Sequence, residues 1–383
     1  MNSKFPRVKL GEVLRLDLDR VPVDVSKPYP MVGVLSFGRG LFHREPIENG
    51  NTSYKYFYRL KANHIVMSQL FGWEGALALS SEGFAGKFLS PQFPTFLSDE
   101  TRLQREFLGW IMRRPSFWED LGSRTSGMGD RRRTLNPDAL FACEIPLPPL
   151  EEQQRIVAKI DQLAAKIAEA RSLRQQAAEE AEAFITAVHI SLAGGRSRKL
   201  GDILQLKEYA VPVRPDEEYP QVGVKGFGGG LFSKPAISGT QTTYRNFNRL
   251  FDGALVLSQV KGWEGAVAVC DSSLSGRFVS PEYRTFRCAA GEAIPEYLAV
   301  LVRTQWFWGQ LKHATRGVGA RRERTRPEQF LSLIIPMPEV GRQARGAKIF
   351  RPVGALKRLQ AELSTELDAL LPSILEKAFK GEL

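Results

Sequence analysis

Residues Ile145-Pro-Leu-Pro-Pro-Leu-Glu-Glu-Gln-Gln-Arg-Ile-Val-Ala-Lys-Ile160 decide how the rest of the chain is read. A proline-rich stop gives way to a run with no Pro or Gly before Gly194. Apolar or small residues fall at Ile160, Leu163, Ile167, Ala170, Ala177, Ala181, Phe184 and Val188, with Arg174 the one break. Steps of three and four make this a heptad seam. Pro before the run and Glu in its first turn suit a helix start, and Gly194-Gly195 suits its end. At 1.5 Å per residue, about 40 residues span roughly 60 Å. A helix so long and so polar outside its seam needs a partner helix. The chain offers one candidate, from Leu356 to Phe379.

Working outward, the chain repeats itself at an offset of about 190 residues. Lys9-Leu10-Gly11 returns as Lys199-Leu200-Gly201, and Gly72-Trp73-Glu74-Gly75-Ala76 as Gly262-Trp263-Glu264-Gly265-Ala266. Ser90-Pro91 returns as Ser280-Pro281, and Phe117-Trp118 as Phe307-Trp308. From His64 to Phe96, about 15 of roughly 33 positions are identical to their counterparts. That is a duplication of one large unit; a solenoid would repeat every 20 to 50 residues. Each unit holds a strand-rich globular part followed by a long helix. Short apolar runs such as Ile65-Val66-Met67 and Leu255-Val256-Leu257 lie between Gly-rich turns.

The second helix is less regular. Gly341, Gly346, Pro352 and Gly354 interrupt it, and an interior proline costs about 3 kcal/mol. Regular helix is therefore expected to begin near Val353, with Leu356, Leu363 and Leu367 in its seam, as Ile160, Leu163 and Ile167 are in the seam of the first helix. Pro372 is expected to kink it. The expected layout is a globular domain over 1–150, a helix over 151–195, a second domain over 196–340 and a second helical segment over 341–383. Antiparallel pairing would relate the two copies by a pseudo-two-fold axis.

Composition narrows the function. The 383 residues are enough for two domains. A net charge of +11 and a pI near 9.6 favour a polyanionic partner, most often nucleic acid. Three scattered cysteines support neither a disulfide framework nor a zinc site. The start of the chain has no apolar signal region, and no run approaches 18 apolar residues. A soluble, cytoplasmic protein without a membrane partner is expected.

No catalytic constellation stands out. The four histidines, His43, His64, His189 and His313, have no metal spacing, and no P-loop or zinc-deaminase pattern is present. Asn136-Pro137-Asp138-Ala139 falls short of the Asn/Asp-Pro-Pro-Tyr/Phe motif of amino-group DNA methyltransferases. Gly226-Phe227-Gly228-Gly229-Gly230 superficially resembles a cofactor loop but reads better as a tight turn.

Nucleic-acid chemistry is better represented. Gly127, Gly129, Arg131, Arg132 and Arg133 recur as Gly317, Gly319, Arg321, Arg322 and, one residue on, Arg324. Glycines allow close approach, and paired arginines suit bidentate contact with phosphate or guanine. Tyr54-Lys55-Tyr56-Phe57-Tyr58-Arg59 and Tyr244-Arg245-Asn246-Phe247-Asn248-Arg249 interleave aromatics with bases. Lys55, Tyr56, Arg245 and Asn246 are candidate DNA contacts, while Phe57 and Phe247 could equally be core. Gln69 and Gln259, before the Gly-Trp-Glu-Gly turns, could read adenine. Trp73 and Trp263 are expected to be packing anchors.

These residues carry a family resemblance. The Ile145–Ile160 stretch and the tail Ser373-Ile-Leu-Glu-Lys-Ala-Phe-Lys-Gly-Glu-Leu383 resemble the DNA-specificity subunit of type I restriction–modification systems. Ser90-Pro91, Ser280-Pro281 and the Gly-x-Gly-x-Arg-Arg loops match its target-recognition domains, and the resemblance covers essentially the whole chain. It implies an α+β fold with two target-recognition domains held apart by two long antiparallel helices. Each domain would read half of a bipartite double-stranded DNA site. The helices would dock methyltransferase subunits, two by symmetry, and motor-nuclease subunits would complete the complex. The chain itself would be noncatalytic and without cofactor, with S-adenosylmethionine on the methyltransferase. The second helix start departs from the pattern, with Gly341-Arg-Gln-Ala-Arg-Gly-Ala347 where Glu151–Val157 stands. Two other readings are a self-contained modification enzyme and a scaffold of a related phage-defence complex. Because the copies are close relatives, the half-sites are expected to be related and inverted, giving a near-palindromic target.

Overall fold

A computed structural model describes residues 4–48, 51–125, 133–314 and 324–383. The chain is α+β and forms two compact units, one of residues 1–171 with 364–383 and the other of residues 172–363. Two long helices, Leu150–Ala193 and Val340–Lys380, contribute to both. Among the described residues no helix is long and apolar enough to cross a membrane.

The first unit centres on a four-stranded antiparallel sheet in the order Leu14–Leu16, Thr95–Ser98, Ile65–Met67, Leu77–Leu79. The apolar run Ile65–Met67 is wholly buried, as a central strand requires. A second sheet joins Arg20–Pro22, Tyr56–Arg59 and Phe88–Leu89, and the hairpin Val32–Val34/Leu41–His43 follows. The second unit repeats the plan. Its four-stranded sheet runs Leu204–Leu206, Tyr283–Cys288, Leu255–Ser258, Val267–Val269. The register repeats too: Phe96 faces Leu16, and Phe286 faces Leu206. In this unit the hairpin strands lengthen to Glu218–Lys225 and Gly230–Ser238 and join a five-stranded sheet. The short helices Arg105–Ile111 and Pro295–Leu301 follow the sheets at matching positions in the two copies.

The second long helix begins at Val340, not near Val353, and continues through Gly346, Pro352, Gly354 and Pro372. One of its glycines fills a tight place. A Cβ on Gly346 would lie 2.6 Å from the Tyr297 ring. Gly341 is in the first turn, where N–H groups have no partner inside the helix. The first helix ends as expected, with Gly194 and Gly195 at φ of 58° and 82°.

Each helix start is hooked onto its domain by one fully buried glutamine. Gln153 Nε2 donates to the carbonyls of Arg102 and Pro148, both at 2.8 Å, and its Oε1 accepts from the Gln104 N–H at 2.8 Å. Gln343 does the same with Glu292 (2.9 Å), Pro338 (2.8 Å) and Ile294 (3.0 Å). The two helix starts are therefore alike where it matters, although little of the surrounding sequence agrees.

Within each unit the helices run antiparallel. In the first, Arg155 Nη2 donates to Leu383 O at 3.2 Å, and Arg171 pairs with Asp368 at 2.8 Å. In the second, Lys357 pairs with Glu182 at 2.8 Å and Arg342 donates to Leu192 O at 3.2 Å. Arg174, the break in the seam, donates to the carbonyls of Gln360 and Leu363.

The seam differs in detail from the heptad reading. Ile160 and Ile167 are buried and Leu163 half-buried, as expected, but Phe184 is exposed. On the second helix Leu356 and Leu363 remain 47% and 44% exposed, and Leu367 is half-buried. The buried hydrophobic side chains there, among the described residues, are Phe350, Leu375, Ala378 and Phe379, which face the domains.

In the first unit Phe107 meets Phe379 edge-on at 5.1 Å, and Arg114 lies 5.1 Å over the Phe379 ring. Arg114 and Ser116 also bind the Glu376 carboxylate, at 2.8 and 2.5 Å. These donors hold Glu376 below its usual carboxylate range, against the opposing effect of its partial burial. In the second unit the positions of Phe107 and Phe379 are taken by Tyr297 and His189. The His189 Nδ1 lies 2.5 Å from Tyr297 Oη, with the imidazole fully buried. Burial depresses its pKa to about 4.

Two predictions follow from this packing. Gln153→Ala or Gln343→Ala should each cost about 2 to 4 kcal/mol, because each strands buried backbone groups; chemical denaturation measures it. Since His189 is harder to protonate folded than unfolded, its contribution is complete above pH 6.5 and fades as pH falls to about 4. The full effect is on the order of 3 kcal/mol. His189→Phe with Tyr297→Phe, which copies the aromatic pair of the first unit, should flatten the decline in melting temperature between pH 7 and pH 4.

Candidate nucleic-acid interface

Residues 126–132 and 315–323 lie outside the described residues. With them go Gly127, Gly129, Arg131, Arg132, Gly317, Gly319, Arg321 and Arg322. The structure describes where these loops return to the fold. Leu135 N–H donates to Gln69 O at 2.8 Å, and Thr325 N–H donates to Gln259 O at 2.9 Å. Glycine makes both closures possible. A Cβ on Gly72 would lie 2.7 Å from Leu135 Cδ2, and one on Gly262 would lie 2.6 Å from Thr325 Oγ1. The exit of each arginine loop is thus fastened beside the glutamine singled out in the sequence.

Arg133 extends over the Trp73 ring at 5.4 Å, and Arg324 pairs with Glu282 at 3.0 Å. Gln69 is half-buried and Gln259 buried. Trp73 is half-buried, and its indole N–H donates to Leu70 O at 2.8 Å. It anchors the turn and also gives Arg133 a face to lie on, which the sequence reading did not foresee.

The Gly-Trp-Glu-Gly segments are single 3-10 turns, Gly72–Glu74 and Gly262–Glu264. Each ends on a left-handed glycine, Gly75 at φ 78° and Gly265 at φ 73°. Trp118 and Trp308 pack so closely on them that a Cβ would lie 2.4 and 2.5 Å away. Those indoles donate to the carbonyls of Met112 and Val302 at 2.6 and 3.1 Å.

The aromatic-basic strands have mixed faces. Phe57 and Phe247 are core. Lys55, Arg245 and Asn246 are exposed, and Tyr56 is half-buried with Arg20 over its ring at 5.2 Å. In the second unit a cavity of about 610 Å³ is lined by Gln221, Tyr244, Phe247, Ser258, Lys261 and Glu282, among others. This cavity brings the Arg245–Asn246 strand to the same rim as the flanks of Gln259 and the partner of Arg324. Lys261, on the rim of this cavity, and Arg20, over the Tyr56 ring in the first unit, were missed in the sequence, where nothing distinguishes them from other surface bases.

The glycine run Gly226–Gly230 is a tight turn, with Phe227, Gly228 and Gly230 at positive φ. Phe37, at the matching position, also has positive φ, 63°. The left-handed conformation costs a non-glycine residue about 1 to 2 kcal/mol.

Burial pushes the thiols of Cys143 and Cys270 up to about 12 and that of Cys288 to about 11, which leaves them poor nucleophiles. Among the described residues, no group of three or more His, Cys, Asp or Glu is placed to hold a metal ion.

No family model matches the chain, and no curated protein matches it. Solved structures do. One, from work on complex assembly and conformational transition of the type I restriction–modification system, is 22% identical over 100% of both chains, with a TM-score of 0.66. The HsdS subunit from Thermoanaerobacter tengcongensis is 21% identical over 99% of this chain and 97% of that one, with a TM-score of 0.49. The S subunit of a type I system from M. genitalium is 14% identical over 99% and 96%, with a TM-score of 0.47. The likeness to the first of these extends over the full length of both chains, and this chain shares its fold.

Proposed function

We propose that this chain is the noncatalytic specificity subunit of a type I restriction–modification complex, binding a bipartite double-stranded DNA site. The observation that carries this is the twice-built juncture at which an arginine loop returns to the fold against a glutamine, through Leu135 with Gln69 and Thr325 with Gln259. Each juncture joins phosphate-binding side chains to a group able to read a base edge. The net charge of +11 supplies the attraction.

The helices would dock methyltransferase subunits, to which motor-nuclease subunits are added. In the second unit Leu173, Phe184, Leu356, Leu359 and Leu363 are all exposed on the helices. The steps from Leu356 to Leu359 and Leu363 place those three on one face. Two paired helices leave that face open, and amphipathic helices of a modification subunit would cover it. Gln153 and Gln343 set both helix starts on their domains in the same way, which favours two equivalent docking positions. S-adenosylmethionine would be bound by the methyltransferase, and the complex would act in the cytoplasm.

Because both halves follow one design, the half-sites are expected to be related and inverted. Long-read methylation sequencing would test this in a methylation-free host expressing the chain with its modification subunit. A split motif that vanishes without this chain is the expected result; unrelated halves would overturn the near-palindrome, and no motif would count against the specificity role. Arg131→Ala with Arg132→Ala should weaken binding and lower the salt slope by about 2, at roughly 0.9 per phosphate contact. Binding left unchanged across several salt concentrations would remove the loop from the interface.

A further inference from the structure

Three described non-glycine residues have positive φ: Phe37, Asn63 and Phe227. Phe37 and Phe227 are counterparts in the two copies, at 63° and 54°. Each begins a hairpin tip, followed by Gly38 or Gly228, also left-handed. Two consecutive left-handed residues favour Asn, Asp or Gly at the first position. Both copies instead carry phenylalanine, a bulky residue that rarely adopts it.

Packing does not account for the choice. Phe37 is 58% exposed and Phe227 71% exposed; each meets Trp118 or Trp308 edge-on at 6.0 Å, and Arg39 lies over the Phe37 ring. The backbone beneath is held firmly. Phe37 N–H donates to Glu74 O at 2.8 Å and Gly38 N–H to Gly75 O at 3.0 Å. Phe227 N–H donates to Glu264 O at 2.6 Å, and Arg303 Nε donates to Gly228 O at 2.7 Å. The glycine that follows cannot trade places with the phenylalanine. A Cβ at Gly228 would lie 2.4 Å from Arg303 O, and one at Gly38 would lie 3.0 Å from Arg113 Cα.

Two facts indicate what the ring meets. The carbonyls of Glu74 and Glu264 belong to the same short turns whose Gly72 and Gly262 lie against Leu135 and Thr325, with Arg133 lying over Trp73 next door. Each hairpin also carries an exposed base, Arg39 over the Phe37 ring at 5.8 Å and Lys225 at the second tip. An exposed ring on a rigid backbone, beside cations and readout groups, has the form of an apolar wedge that partly unstacks a base step.

We propose that Phe37 and Phe227 each insert into the DNA base stack at their half-site. This deepens the DNA-binding reading and rests on it. The test uses the chain in complex with its modification subunit and a closed circular plasmid carrying the motif found by methylation sequencing. The plasmid is relaxed by topoisomerase I with and without protein, and its linking number is read alongside filter-binding affinity. Wild type should bind and lower the linking number. Phe37→Gly with Phe227→Gly suits the positive φ, so melting temperature should hold and binding stay within a few-fold, but the linking-number change should disappear. Phe37→Leu with Phe227→Leu should restore it. Binding by wild type without unwinding, or unwinding by the glycine variant equal to wild type, overturns the wedge and leaves the DNA reading intact. Loss of the modification subunit from the glycine variant, with unwinding retained, assigns the rings to that protein instead. If wild type neither binds the plasmid nor directs a motif, the DNA reading itself fails and the wedge with it.

Discussion

Phe379 lies four residues before the last residue, Leu383, yet it is fully buried against Phe107 in the first unit. Leu375 and Ala378 are buried with it, beside Ile156, Val157 and Ile160 from the start of the other long helix. The second unit is completed by Ile185 and His189 from the end of the first helix and Phe350 from the start of the second. Each core thus depends on a helix end supplied from the opposite half of the sequence. Burying one such side chain contributes about 1.5 to 3 kcal/mol, comparable to a large part of a domain's net stability. The helices are therefore walls of both units as well as a connection between them.

That dependence explains why the second helix tolerates a sequence that local propensity would reject. Gly346 and Pro352 each weaken an isolated helix, by about 1 and 3 kcal/mol. Here Gly346 admits the Tyr297 ring, and Phe350, one turn on, stacks on the same ring at 5.5 Å. Tertiary contact overrides propensity, so the expected start at Val353 fell thirteen residues past the observed Val340. The duplication, the first helix and its glycine stop were legible because they are local or repeated patterns. The buried side of each helix was not, because the heptad rule assumes that the partner is another helix. In this chain much of the apolar face turns toward a domain, leaving Leu356 and Leu363 half in solvent. The candidate site was legible in part for the same reason. Recurrence marked Gln69 and Gln259, but no spacing in sequence reveals that Leu135 and Thr325 fold back onto them.

The two copies agree in their frame and differ at their rims. Arg20, Tyr56 and Tyr58 make a cationic-aromatic cluster in the first unit, with Tyr56 and Tyr58 at 5.6 Å. Their counterparts are Ala210, Asn246 and Asn248, and Asn248 Nδ2 instead donates to Glu208 and Tyr283 O, both at 3.3 Å. Asp17, held below its usual carboxylate range by hydrogen bonds from His64 and Lys61, has Lys207 as its counterpart. On the proposed reading, the exposed Arg20 and half-buried Tyr56 of the first half and the exposed Asn246 of the second would present different donors, acceptors and faces, over buried Tyr58 and Asn248 that differ as well. Related half-sites are compatible with that; identical ones are harder to reconcile with it.

The positions that do not vary are those where an added atom or a lost hydrogen bond would move a loop. Gly72 and Gly262 let the loop exits close, Gly75 and Gly265 admit the tryptophans, and Gln153 and Gln343 seat the helices. None of these can read DNA, and all of them fix where neighbouring side chains stand. Phe37 and Phe227 combine the two roles, since their backbone is held like the frame while their rings are exposed like the rim. A conformation costing about 1 to 2 kcal/mol in each unit persists only where surrounding contacts over-determine it. The hydrogen bonds from the Phe37 and Phe227 amides to the Gly-Trp-Glu-Gly turns supply that constraint, and they tie each exposed ring to the turn against which Leu135 or Thr325 returns.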